Sequence, residues 1–118
     1  MGRTQQLGRE GEDVAVAFLE HAGMQILGRN WRCPLGEIDV VALDDRCLVV
    51  CEVKTRSSTS AGLPVEAVTP EKLARLRRLT LAWLAAQDRR FARIRIDVVS
   101  VLAHQDAPPS VEHLRAVG

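Results

Sequence analysis

Two periodicities in the hydrophobic positions divide the chain into helices and strands. Leu7, Gly11, Val14, Ala15, Phe18, Leu19 and Ala22 recur at helical spacing and predict an amphipathic helix over about residues 4–22, with Gly23 to end it. Gly8 and Gly11 lie one turn apart in that helix. Each costs about 1 kcal/mol relative to Ala, so this turn is expected to lie close against another backbone. Residues 24–33 read as a first strand interrupted near Gly28, and Pro34-Leu35-Gly36 as a turn. Two β-type runs, 37–43 and 47–54, then flank the polar turn Asp44-Asp45-Arg46 and predict a hairpin. The second run is apolar on both faces, with Leu48 and Val50 on one and Cys47, Val49, Cys51 and Val53 on the other. Such a strand belongs in the middle of a sheet covered on both sides.

Further along, residues 57–62 are small and polar and predict a loop beside the hairpin's end. Thr69-Pro70-Glu71 combines an N-cap, a proline for the first helical position and an acid for the first turn. The helix it starts runs to about Gln87, with Leu73, Leu76, Leu79 or Thr80, and Trp83 facing the core. Residues 93–102 alternate as a strand with Ile94, Ile96 and Val98 on one face; 107–109 form a loop. Residues 111–117 fit either a short edge strand or a frayed tail. The order helix–strand–strand–strand–helix–strand predicts a single α/β domain over residues 1–118, a mixed sheet packed between helices.

Composition narrows the class. A chain of 118 residues with 47% apolar and 26% charged residues is globular and of one-domain size. It holds no run of 18 apolar residues and no apolar region at the start, so neither a membrane span nor a secretory signal is expected. Three cysteines without a Cys-x-x-Cys pair predict a reducing, cytoplasmic setting. Cys47 and Cys51 lie on one strand, cannot bridge, and are expected to be small buried hydrophobes. His21, His104 and His113 lack zinc-ligand spacing and read as surface residues. The net charge of +1 hides an asymmetry: residues 71–95 carry net +6, against −3 before them and −2 after. That segment is basic enough to attract polyanions.

The candidate chemistry sits at the hairpin's open end. Glu37 and Asp39 begin the first run, and Glu52 and Lys54 close the second. Side chains two apart on a strand share a face, so an antiparallel hairpin would bring three carboxylates and an ammonium together. Like charges that close resist ionising together unless a cation sits among them; a hard divalent ion held by carboxylates resolves the conflict. Glu52 and Lys54, on a covered strand, are expected to leave water, where an unpaired charge costs on the order of several kcal/mol. A structural Glu–Lys pair is the alternative. Fourteen of the 16 basic residues are arginine, and the two lysines are Lys54 and Lys72. Arg-rich codon usage explains the excess but not where the lysines remain. Glu12, beside the apolar stripe of the first helix, could reach over the sheet end towards Asp39. Lys72, Arg75 and Arg78 recur every three residues and form a basic stripe, a solvated face or a phosphate-binding one, outside the carboxylate cluster. Four aromatics and no Tyr argue against base stacking, so contact with nucleic acid would be through backbone phosphate with little sequence preference.

Asp39, twelve intervening residues and Glu52-Val53-Lys54 resemble the signature of the PD-(D/E)XK nuclease superfamily, with Ile38 where a proline usually precedes the aspartate. More narrowly, Gly8-x-x-Gly11-Glu12, Asn30-Trp31-Arg32, Gly36-Glu37-Ile38-Asp39, Glu52-Val53-Lys54-Thr55-Arg56, Thr69-Pro70-x-Lys72 and Asp97-Val98-Val99 together resemble the YraN-like family of small bacterial proteins. The likeness spans about residues 7–101. It implies a restriction endonuclease-like fold with core order α-β-β-β-α-β, similar to Holliday-junction resolvases. It further implies that Asp39 and Glu52 bind Mg²⁺ or Mn²⁺ with the Val53 carbonyl, that Glu12 holds the ion directly or through water, and that Lys54 orients the attacking water. Glu37 would support them. Arg32 and Arg56 join Lys72, Arg75 and Arg78 as phosphate contacts. The expected activity is metal-dependent cleavage of DNA, branched DNA included, by a homodimer such as the related resolvases form. The alternatives are an inactive nucleic-acid- or partner-binding module on the same fold, and a structural subunit whose charged cluster is an ion-pair network.

Overall fold

The computed structural model describes residues 3–57 and 68–118, with residues 3–6 as helix backbone only. Residues 58–62 of the expected polar loop lie outside the described residues. The helix α1 (Arg3–His21) leads into β1 (Gln25–Cys33), β2 (Gly36–Asp44) and β3 (Cys47–Arg56); α2 (Pro70–Ala85), β4 (Arg93–Leu102) and β5 (Ser110–Leu114) follow. The five strands lie side by side in chain order. β3 pairs with β4 in parallel and every other pairing is antiparallel, so the sheet is mixed. A parallel neighbour requires a crossover, and α2 lies on it. The last segment, open between strand and tail, is the edge strand β5.

Each helix covers its own face of the sheet. Ala15 and Leu19 of α1 pack with Val40, Ala42, Val49, Cys51, Val99 and Val101. Leu76, Leu79 and Trp83 of α2 pack with Ile38, Val41, Leu48, Val50 and Ile96. β3 is the middle strand, and Cys47 to Cys51 are buried without a break. Its two-sided apolar pattern therefore has the predicted cause. The start of α2 also follows its sequence: the Thr69 hydroxyl accepts the Lys72 N–H at 3.2 Å, and Pro70 takes the first helical position. β1 shifts register between Ile26 and Gly28, the interruption its glycine suggested.

Several expectations need correction. Gly11 is buried, and a Cβ there would overlap the Thr55 side chain, so α1 does approach β3 closely at this turn. Gly8 faces open space and takes no part in that approach. Glu52 is half-buried, but Lys54 is exposed and does not leave water. The two do not form a buried pair. Ile94 is also exposed, while both faces of β4 are buried from Ile96 to Val101. His113 is not a surface residue: its side chain is 6% exposed beneath α1, with the Phe18 ring edge-on at 5.9 Å. All three cysteines are free, and Cys47 and Cys51 are buried as expected. Among the described residues no helix is long and apolar enough to cross a membrane.

Candidate active site

The site begins where the hairpin's backbone pairing stops. The β2–β3 ladder ends at Val40 opposite Cys51. The next β3 amide in need of a partner, Val53 N–H, donates 2.9 Å to Asp39 Oδ2. A side chain thus replaces the strand backbone. The pleat changes at the same point: Val40 and Ala42 pack towards α1, whereas Ile38 packs towards α2. Regular alternation would have kept all three on one face. Strict alternation therefore breaks between Ile38 and Val40, at Asp39, while Glu37 stays close enough to act on the Asp39 carboxyl.

Asp39 is half-buried and holds its proton unusually well. Burial first, and the nearby carboxylates of Glu12, Glu52 and Glu37 after it, lift its carboxyl from 3.8 to about 6 against the opposing pull of the Val53 N–H. Four acids from α1, β2 and β3 are thereby brought into one electrostatic neighbourhood. α1 contributes Glu12 because the Gly11–Thr55 contact seats that turn on the strand end.

Each of the three surrounding glutamates has a cation of its own. Arg29 Nη2 lies 3.4 Å from Glu12 and 2.7 Å from Asp13. These partners raise the Arg29 pKa, the Asp13 hydrogen bond first, against a smaller loss from burial. Arg32 Nε lies 3.2 Å from Glu37. Lys72 Nζ lies 3.2 Å from Glu52 Oε2, and Arg75 Nη2 lies 3.9 Å from Glu52 Oε1. Asp39 alone of the four has no cation beside it among the described residues. Consistent with this sharing-out, no three acidic, His or Cys side chains among the described residues could hold one ion as they stand.

The arginines and lysines are distributed differently from the sequence expectation. Lys72 and Arg75 do not lie outside the carboxylate cluster, because the crossover drops the first turn of α2 beside Glu52. Arg78 alone of the stripe remains an exposed basic residue with no ion pair among the described residues. Arg56 is half-buried, and its Nη2 donates 3.2 Å to Ser100 Oγ of β4. Arg32 is exposed at the rim. Lys54 is exposed with no ion pair among the described residues. The sequence names Arg29 only with Arg32 and Arg56, as an alternative side for substrate approach and not as a partner of the acids, although its place on β1 opposite Val40 sets it one residue from Asp39.

A second buried aspartate lies two strands away. Asp97 of β4 is fully buried and accepts from Arg95 Nε at 3.1 Å, Arg95 Nη2 at 3.2 Å and the Ala116 N–H at 2.9 Å, with His113 Nε2 at 2.7 Å. Cys51 is adjacent to Asp97 in register. Burial pushes its thiol well above the ordinary range, and Asp97 and Asp39 push it further. It is not a nucleophile at neutral pH.

A model of the Uncharacterised protein family UPF0102 matches residues 11–101. The chain belongs to this family. A UPF0102 protein of Kineococcus radiotolerans is 59% identical over 112 residues, covering 94% of this chain and 92% of that protein. One from Pseudarthrobacter chlorophenolicus is 55% identical over 111 residues, covering 94% and 84%. One from Nocardia farcinica is 50% identical over 117 residues, covering 99% and 92%. The matched UPF0102 region contains Glu12, Asp39, Glu52, Lys54, Lys72 and Asp97, and agrees with the YraN-like resemblance of the motifs.

Proposed function

We propose that this UPF0102 protein is a divalent-metal-dependent nuclease of the PD-(D/E)XK type, on a restriction endonuclease-like fold, that hydrolyses phosphodiester bonds in DNA. The observation that carries the reading is Asp39: a carboxyl at the head of the central hairpin, raised to about 6 by burial and by three acids, with one backbone N–H as its hydrogen-bond partner. Keeping it ionised at neutral pH costs about 3 kcal/mol, at about 1.4 kcal/mol for each tenfold change in proton affinity. A protein that needed only a stable strand end would be better served by asparagine.

The donors fit a hard ion in kind, being all oxygen. Asp39 and Glu52 would hold Mg²⁺ or Mn²⁺ with the Val53 carbonyl, Glu12 would assist directly or through water, and Glu37 would orient its neighbours. The ion would supply charge for the phosphate and a more acidic water. Lys54, exposed at the end of β3, has the freedom to approach a phosphate oxygen and to orient the water. Arg78, and Arg32 beside Glu37, offer exposed positive charge for the DNA backbone. A two-fold dimer would address both strands of a duplex or junction, and three free thiols suit a cytoplasmic setting.

A second reading is favoured by a different observation. Glu12, Glu37 and Glu52 are already neutralised by protein cations, as in a module that binds nucleic acid without cutting it. Incubation with Mg²⁺ or Mn²⁺ and single-stranded, duplex, flap and four-way-junction DNA separates the two. The nuclease reading expects cleavage of at least one substrate, abolished by chelation and reduced about 10²-fold or more in Asp39→Asn, the scale of losing a principal electrostatic group. Binding without cleavage across the panel would leave the module.

A further inference from the structure

We infer that Lys72, backed by Arg75, is a resident counter-ion of Glu52 that changes partner, from carboxylate to DNA phosphate, when a divalent cation enters. The inference rests on the metal-site reading above.

Lys72 stands in the first turn of α2, three residues after the N-cap Thr69. That end of a helix carries partial positive charge, so a cation there is disfavoured. Glu52 offsets this at 3.2 Å, with side-chain exposures of 26% for Lys72 and 16% for Glu52. The pair is mostly out of water, and Glu52 would be costly to leave uncompensated. Lys72 and Arg75 together bring two positive charges to Glu52, the same charge as one divalent ion. Entry of the ion with both cations in place would overload the site; entry with their departure conserves its charge.

The residue type suits the exchange. Lysine is a point charge on a flexible stem, whereas arginine holds a carboxylate through a planar fork. The chain uses lysine twice among 16 basic residues, at position 54 and at position 72. The Lys72 backbone is pinned by its N–H bond to Thr69 Oγ1, so the side chain swings from a fixed pivot. Released, it points a cation into the space beside Lys54 where a phosphate would arrive. Metal and DNA binding would then strengthen one another reciprocally.

The two lysines allow a test on the wild-type protein. The Lys72 ammonium should give a protected ¹H–¹⁵N signal at low temperature, lost on titration with Mg²⁺ and altered again on adding a short DNA duplex. Calorimetry with Mn²⁺ supplies the second arm. Lys72→Gln should bind Mn²⁺ about tenfold more tightly than wild type, by removal of a nearby positive charge, whereas Lys72→Arg, held on Glu52 by its fork, should bind it more weakly than wild type and Arg78→Gln should be unchanged. Ca²⁺ should tighten duplex binding about fivefold in wild type and less than twofold in Lys72→Gln. Mn²⁺ binding in wild type with no gain in Lys72→Gln, or a Lys72 signal indifferent to Mg²⁺, overturns the counter-ion exchange and leaves the metal site standing. No Mn²⁺ binding in either protein overturns both.

Discussion

Asp39 and Asp97 are two buried or half-buried aspartates on neighbouring parts of one sheet, and they are treated in opposite ways. Asp97 is enclosed by two Arg95 nitrogens, His113 and the Ala116 amide. Asp39 receives one amide and three neighbouring negative charges. The first is a satisfied carboxylate that ties the segment after β5 back onto β4. The second is left under-compensated by a fold that has arginines to spare. Arg29, Arg32 and Arg75 all lie near, yet each goes to a glutamate and none to Asp39. The contrast separates an ion pair that holds structure from a carboxylate left under-compensated, the kind on which the proposed function rests.

The largest effect expected from breaking this contrast is at the satisfied end. Asp97→Ala leaves His113 and the Ala116 N–H without their carboxylate and Arg95 with Asp44 alone, and should destabilise by about 3–5 kcal/mol, as when one partner of a buried network is removed. Thermal or urea unfolding measures it; a loss below about 1 kcal/mol would show that Asp97 does not hold the structure. Asp39→Asn should act in the opposite direction. It keeps an oxygen for Val53 and removes the charge, so the metal-free protein should gain about 2–3 kcal/mol at pH 8. The sign follows from the raised carboxyl. Its contribution to stability is fully present below 3.8 and is lost as pH rises through about 6. Wild type and variant should therefore converge towards pH 4, and divergence growing at low pH would contradict the assignment.

Gly11→Ala should cost about 1–3 kcal/mol, the range for an extra group forced into a packed contact, here against Thr55. It should also move Glu12 away from Asp39 and lower the Asp39 carboxyl, measurable by carbon NMR through a pH titration. Unchanged stability would show that α1 is not seated by this contact. The smallest effect belongs to Arg78→Gln. It should leave folding and Mn²⁺ binding alone and flatten the salt dependence of duplex binding by about 0.9 in slope if one phosphate contact is lost. Identical salt curves would make Arg78 a solvated residue and return DNA contact to the Arg32 side.

Most elements could be read along the chain because local chemistry and periodicity agreed. Thr69-Pro70 starts α2 where expected, and the two-sided β3 is central. The approach of α1 to the sheet was legible in part: of the two glycines that suggested it, Gly11 makes it and Gly8 does not, and Glu12 comes near Asp39. What escaped depended on non-local geometry. Ile38, Val40 and Ala42 alternate in the sequence as though on one face, but the bend at Asp39 sends Ile38 to the other core. Lys72 and Arg75 read as a surface stripe when α2 is considered alone; the crossover from β3 to β4 is what brings them to Glu52. His113 looked like a lone surface histidine because its partner, Asp97, is on a different strand.

The Val53–Asp39 hydrogen bond gives the hairpin a last rung made half of main chain and half of side chain. Residue 39 is therefore spelled into the strand as well as into the proposed chemistry. Truncation to alanine would delete a carboxylate and unzip a rung in the same stroke, and any lost activity would be a mixture of the two. Asparagine keeps the rung. Along the evolutionary paths open to such a protein, loss of the acid could pass through asparagine with the fold intact, even strengthened, whereas most other residues would have to rebuild the end of the sheet.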